Sequence, residues 1–292
     1  MKEVFKVKDL FYRYPKGGED VIKGVSFDIY EGEIFGLLGP SGAGKSTTQK
    51  ILTKLLGGYK GSIEYNGKDF ALLGTDYYEE IGVGFEMPVH FSKLTGLENV
   101  NFFLNLYKNK ANPEKLLKAV GLWEDKDKPV SDYSKGMKVR LNFVRAMLNN
   151  PKVLFVDEIT NGLDPVNAKI VKDMIREFAK AGGTVFLTTH LMSDVEELCD
   201  RVLFMVDGKV TEPATPRDLK IKYGERKVKL EYKENDEVQA LEFPLDGLGK
   251  NKEFLEALKS KTIETIHSGE TSLAEIFIKV TGVEFNENAN QQ

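Results

Sequence analysis

Two stretches near the start of the chain, residues 4–14 and 21–30, alternate apolar and polar side chains on either side of a turn holding Pro15, Gly17 and Gly18. Period two around such a turn predicts an antiparallel strand pair. Residues 34–38 are then apolar without a break, as in a strand buried on both faces, and residues 45–56 carry Ile51, Leu52, Leu55 and Leu56 at helical spacing. Residues 61–67, GSIEYNG, predict one more short strand closed by an Asn-Gly turn. From residue 86 the pattern turns helical. Thr95 and Glu98 form a capping box ahead of a helix at 99–108, and Asn112-Pro113 opens a second helix ending near Gly121. Strands and helices alternate again after that: strand 153–156, helix 165–180, strand 184–188, a helix at 193–199 capped by Ser193 and Glu196, and strand 201–206. This order predicts a mostly parallel α/β core interrupted by a helical insertion over about 87–149. Beyond about Pro216, alternation at 227–232 and 238–243 and helical stretches at 253–259 and, behind Ser272 and Glu275, at 273–280 predict a small α+β appendix. The expected division is 1–217, 218–285 and a polar tail at 286–292.

The junction between the apolar strand at 34–38 and the helix that follows carries the first chemistry. Gly39-Pro40-Ser41-Gly42-Ala43-Gly44-Lys45-Ser46-Thr47 fits G-x-x-x-x-G-K-[ST] between a strand and a helix. Its glycines let successive N–H groups turn inward, and the helix aims its positive end at the same point, so a polyphosphate is held largely by main chain. Lys45 is expected to reach the β- and γ-phosphates, and the Ser46 hydroxyl to ligate Mg²⁺.

The apolar strand at 153–156 delivers Asp157 and Glu158 at its C-terminal end, the end at which open α/β sheets bind ligands. Asp157 is expected to hold Mg²⁺ and Glu158 to act as general base toward an attacking water. Another strand ends in His190, next to the expected γ-phosphate. Composition narrows the setting. A net charge of −4 gives no basic stripe for nucleic acid, and a single cysteine, Cys199, excludes an intrachain disulfide and suits a reducing compartment. No apolar run approaches a bilayer span, so the expected location is the cytoplasm, with any membrane role exercised through a partner.

These motifs, in this order and spacing, resemble the nucleotide-binding subunit of an ABC transporter over residues 1 to about 217. Residues 39–46 match Walker A, 153–157 match Walker B, and Glu158 falls at the catalytic glutamate. Tyr133-Ser134-Lys135-Gly136-Met137 stands where the family has its signature, with Ser134 and Gly136 at the phosphate-facing positions. Asn161-Gly162-Leu163-Asp164 is similar to the D-loop, His190 to the switch histidine, and Tyr14, with Tyr12 close by, to the aromatic that stacks on adenine. The resemblance implies a P-loop NTPase core with an N-terminal antiparallel β subdomain, ATP and Mg²⁺ as ligands, and a head-to-tail dimer in which Ser134 of one copy closes the site of the other. Glu86 departs from the glutamine common at its position and is expected either to ligate Mg²⁺ or to repel Asp157. Lys135 and Met137 likewise replace a glycine and a glutamine.

The function implied is an ATPase subunit that drives a separate membrane permease, docked through the insertion's Phe102, Phe103, Leu106 and Tyr107, with no nucleic acid partner. The appendix resembles the tail of exporter ATPases for drugs, antibiotics or lipids. Two alternatives stay open: an ABC-type ATPase acting in macromolecular or cofactor assembly, and a small-molecule kinase, for which the signature has no role.

Overall fold

The computed structural model describes residues 2–15, 17–86, 89–158, 160–234 and 237–283, so the expected polar tail at 286–292 and residue 87, where the insertion was expected to begin, lie outside the described residues. The chain divides into two compact units, one within Met1–Ala214 and one within Thr215–Phe285. The boundary expected at 217 falls inside a helix that Thr215 caps, its hydroxyl accepting from the Asp218 N–H at 2.9 Å.

The first unit stacks two sheets. β1 (Glu3–Tyr12), β2 (Ile22–Tyr30), β4 (Lys60–Tyr65) and β5 (Lys68–Asp69) form an antiparallel sheet in the order β2-β1-β4-β5. The Asn-Gly turn joins β4 to β5, with Asn66 and Gly67 both at positive φ, the left-handed pair that a tight hairpin requires. The second sheet contains β3 (Ile34–Leu38), β6 (Ile81–Gly84), β7 (Val153–Asp157), β8 (Thr184–Thr189) and β9 (Arg201–Val206), all parallel, plus β10 (Lys209–Val210) antiparallel to β9. Its order is β10-β9-β3-β8-β7-β6. Between the sheets lies an aromatic core: Phe27 stacks on Phe35 at 5.5 Å, and Phe5 meets Phe155 edge-on at 5.9 Å. Burying each such ring contributes about 1.5–3 kcal/mol relative to exposure.

The helices of this unit are α1 (Lys45–Leu52), α2 (Tyr77–Glu80), α3 (Gly96–Leu104), α4 (Pro113–Ala119), α5 (Lys135–Ala146), α6 (Pro165–Lys180) and α7 (Met192–Leu198). Three boundaries differ from expectation for local reasons. α1 stops at Leu52, four residues early, because Lys54 takes a left-handed φ of 58°, which leaves Leu55 exposed. α3 starts at Gly96, directly after its N-cap Thr95, so that Glu98 of the capping box stands in its first turn, and it ends at Leu104. α7 takes no cap from Ser193. Leu191 is its N-cap, with its N–H bonded to Thr189 Oγ1 at 2.9 Å, and the buried Met192 begins the helix.

Besides the two-residue β5 and β10, two longer strands escaped the sequence pattern. β6 reads Ile-Gly-Val-Gly, a poor strand composition, yet a Cβ at residue 82 would stand 1.9 Å from the Ala146 carbonyl oxygen. The C-terminal end of α5 approaches the strand so closely that only glycine fits. In the second unit, β13 (Thr262–Glu270) joins β11 (Arg226–Glu234) and β12 (Glu237–Pro244) in the order β12-β11-β13, and a register shift between Glu231 and Tyr232 breaks its alternation. α8 (Pro216–Tyr223), α9 (Lys252–Ser260) and α10 (Leu273–Thr281) complete this unit, and Phe254 and Ala257 of α9 pack with Val228, Leu230 and Phe243 of the sheet.

Gly82→Ala is expected to destabilise the protein by about 1–3 kcal/mol, the usual cost of overpacking. Gly57→Ala, where a Cβ meets nothing within 4 Å, is the control and should stay within about 0.5 kcal/mol of wild type. Denaturant melts of both variants measure the difference.

Candidate functional site

The parallel ladder assembles the site. Leu38 of β3 pairs with Thr189 of β8, and Thr188 pairs with Asp157 of β7, so the loop after β3 and the acidic pair after β7 flank the end of β8. The loop 39–44 is held against β9: a Cβ at Gly39 would come within 2.0 Å of the Met205 carbonyl oxygen, while Gly42 and Gly44 have φ of 81° and 114°, where L-residues are strained. Gly44 caps α1, so the first N–H groups of that helix face the loop.

A cavity of about 370 Å³ opens here, lined by Ser41, Gly42, Gly44, Lys45, Ser46 and Thr47 of the cradle and by Glu86, Glu158 and His190 from across it, with Val21 at the side. Lys45 is buried, and its Nζ donates to the Gly39 carbonyl at 2.8 Å and the Pro40 carbonyl at 3.2 Å. Burial lowers its pKa, opposed by the carboxylates of Glu158, Asp157 and Glu86. Gly39, Pro40 and Ala43 build the loop without lining the cavity. Tyr14 stands at the rim, its hydroxyl 3.1 Å from Thr47 Oγ1 and its ring edge-on to Tyr12 at 5.1 Å.

Asp157 lies behind the cradle, 7 % exposed, and shares a hydrogen bond with Ser46. Thr188 Oγ1 donates to its Oδ1 and sits 3.0 Å from Gln49 Oε1. Burial raises the Asp157 pKa, countered by the Thr188 and Ser46 bonds. One hydroxyl and one carboxylate side by side form an all-oxygen donor set, which fits a hard cation such as Mg²⁺. Glu158 has a left-handed φ of 50°, and its N–H donates to the Thr188 carbonyl at 2.9 Å. That turn directs its carboxylate to His190, whose Nδ1 donates to Oε2 at 2.8 Å, and Thr189 Oγ1 donates to the same oxygen at 3.2 Å. The bond to Glu158 raises the His190 pKa, against burial. The exposed Glu86 is pushed up by desolvation and by Asp157 and Glu158.

Three expected site residues are not brought to this cavity. Ser134 is exposed and caps α5 by accepting from the Met137 N–H at 3.2 Å, and a Cβ at Gly136 would lie 3.5 Å from Leu163 Cδ2. Asp164 caps α6 through the Val166 and Asn167 N–H groups, both at 3.1 Å. Signature and D-loop therefore adjoin each other: a Cβ at Gly162 would stand 2.7 Å from Lys135 Cε. Thr188, Thr189 and Gln49 were missed as supports of the acidic pair. The signal for the first two was a pair of hydroxyl residues closing an otherwise apolar strand just before a histidine.

A phosphate loop, an acidic strand end and a histidine between them on a parallel sheet define a P-loop nucleoside triphosphatase. Comparison with known proteins narrows the class. The ABC transporter family matches residues 22–161, and a fluoroquinolone efflux ABC transporter C-terminal domain matches residues 226–270. A fluoroquinolones export ATP-binding protein of Mycobacterium tuberculosis is 49 % identical over 282 residues, 96 % of this chain and 94 % of that protein. A lantibiotic transport ATP-binding protein of Streptococcus pyogenes is 34 % identical over 71 % of this chain and 89 % of its own length. Among solved structures, the ATP-binding subunit of an ABC transporter overlays with a TM-score of 0.68 at 28 % identity, covering 75 % of this chain and 93 % of that one. A dimeric ATP-binding cassette in a post-hydrolysis state, bound to ADP and Pi, overlays at 0.65 and 25 % identity, covering 72 % of this chain and 98 % of that one. The chain belongs to the ABC transporter family and is an ATP-binding, ATP-hydrolysing subunit of a transporter.

The raised His190 pKa makes the Glu158 pair a pH-dependent tie. Its stability is fully present below the unfolded histidine pKa and is lost as pH climbs through the higher folded value. The melting-temperature gap between wild type and His190→Asn is therefore expected to be widest near about pH 6 and to shrink toward about pH 9, read by scanning calorimetry.

Proposed function

We propose that this subunit powers a drug exporter: two copies close head to tail on ATP, and the cycle of closure and hydrolysis drives a separate permease. The near full-length identity to a fluoroquinolones export ATP-binding protein carries this reading, because it extends through the second unit as well as the cassette. It favours a transport subunit over an assembly factor, and the substrate class it suggests is amphiphilic antibiotics of the fluoroquinolone kind. No helix among the described residues is long and apolar enough to cross a membrane, so membrane association falls in this reading to the permease. Of the four residues expected at the docking surface, Phe102 and Leu106 are exposed at 47 % and 65 %, whereas Phe103 lies under the Arg145 guanidinium at 4.8 Å and Tyr107 is half-buried. We assign docking to the first two. Co-expression with its six-span permease should raise fluoroquinolone resistance; unchanged susceptibility would count against this substrate class.

In the mechanism we infer, the loop N–H groups and Lys45 hold the β- and γ-phosphates, and Lys45 exchanges its carbonyl partners for phosphate oxygens. Ser46 and Asp157 would hold Mg²⁺, which when bound would draw charge from the phosphate oxygens. Tyr14 stacks on the adenine, Glu158 takes a proton from the attacking water, and His190 orients Glu158 and faces the γ-phosphate. Glu86, reaching the cavity from the insertion side, is read as a further oxygen ligand toward the metal. Ser134, Gly136 and Asp164, remote from their own cavity, close the partner's.

Glu158→Gln keeps the shape but cannot accept a proton, so hydrolysis should fall by about 10²–10⁴. With Mg-ATP this variant is expected to run as a dimer in light scattering, and with ADP as a monomer. Asp157→Asn should fail to dimerise.

If Ser134 acts on the other copy's nucleotide, mixing Ser134→Arg chains with Lys45→Ala chains should recover activity, because each mixed dimer keeps one intact composite site. Demonstrable mixed dimers without any turnover would refute the shared site.

A further inference from the structure

One buried carboxylate near the site has no part in the mechanism above. Asp194, on α7 four residues beyond His190, is 4 % exposed. Its Oδ2 accepts from the hydroxyl of Thr160, itself 7 % exposed, and its Oδ1 lies 2.6 Å from Lys172 Nζ on α6. Lys172 also reaches Glu197 Oε2 at 2.7 Å, and Arg176 holds the other oxygen of Glu197 at 2.8 Å.

These bonds converge on the turn that presents Glu158. After its left-handed residue that turn is closed by Asn161 N–H to the Glu158 carbonyl at 3.0 Å and by Leu163 N–H to the Thr160 carbonyl at 3.1 Å. A non-glycine residue at positive φ persists only where its surroundings fix it. Thr160 is a fastening point two residues past Glu158, and it is fastened to the helix that follows His190. Asp194 thus bonds to the Glu158 turn with one oxygen and to α6, which leaves the D-loop, with the other, while its own backbone leads back to His190.

We propose that Asp194 is a positioning residue: through Thr160 and Lys172 it holds the Glu158 turn and the His190 segment in one frame, so that the Glu158 carboxylate stays aimed at the attacking water. The inference rests on the reading of Glu158 as general base. It makes the D-loop, α7 and the base one mechanical unit, so a displacement of the D-loop at a dimer interface shifts the base. A carboxylate serving only as structural filling would be expected to act on stability alone.

The test uses full-length chains carrying Asp194→Asn, which removes the charge that Lys172 faces, and Thr160→Val, which removes only the hydroxyl. Both are made in the wild-type and Glu158→Gln backgrounds. Misplacing a catalytic group by about 1 Å costs on the order of 100-fold, so we expect kcat to fall by about 10- to 100-fold while the Kd for a fluorescent ATP analogue stays within about twofold. In the Glu158→Gln background the residual single-turnover rate should not fall further, since a residue that acts through Glu158 has nothing left to position. An equal further loss there, or an unchanged kcat in folded Thr160→Val, overturns the proposal and leaves the base assignment standing. Wild-type turnover by Glu158→Gln alone would remove the base assignment and this inference with it. Should Asp194→Asn fail to fold, Thr160→Val decides by itself, because it leaves the Lys172 ion pair intact.

Discussion

The in-register parallel ladder of β3, β8 and β7 is the constraint on which the site depends. Because Leu38 lies beside Thr189 and Thr188 beside Asp157, the ends of the three strands are level, and the phosphate loop, the histidine and the acidic pair emerge within reach of one another. Parallel pairing requires crossover connections, and these bring the helix starts and the strand ends to the same edge. A shift of one residue in β8 would turn Thr188 to the other face and remove the bond that steadies Asp157.

The charges gathered at that edge conflict in part. Asp157, Glu158 and Glu86 all act on Lys45, while burial opposes the ionised forms of both Lys45 and Asp157. Hydrogen bonds from Ser46 and Thr188 offset the desolvation of Asp157, while Thr189 and His190 both bond to Glu158. Such an arrangement suits a site that receives a polyanion together with a cation. Glu86 is the departure that fits least easily into this balance, because it adds a carboxylate where the family commonly has an amide.

The signature helix and the D-loop have a different logic. Ser134 and Asp164 cap their own helices, and Lys135 lies across Gly162, so two segments far apart in sequence make one continuous surface away from the cavity. Gly162 is favoured by its φ of 78°, where L-residues are strained, and the end of Lys135, which replaces the usual glycine, lies over it. Remoteness from the chain's own cradle is what a composite site shared by two copies requires.

Much of this was legible in the linear chain, because the informative features are local. The phosphate loop declares itself by glycines whose backbone angles few other residues adopt, the acidic pair by its place behind an apolar run, and the Thr95 and Ser272 caps by side chains that bond within three residues. Family resemblance added the expected partners and the proposed roles of the signature and D-loop. What stayed hidden depends on contacts distant in sequence. β6 could not be read because its glycines answer to the α5 backbone, and β13 because a bulge in its pairing resets the alternation. The supporting roles of Thr188 and Thr189, the fastening of Thr160 to Asp194 and the packing of Lys135 on Gly162 likewise needed the tertiary structure. The sequence alone determined which chemistry the chain carries, since that chemistry is written in backbone permissions and residue types. Only the tertiary structure decided which groups hold the chemistry in place, since a hydrogen bond across 31 or 34 residues leaves no periodic trace along the chain.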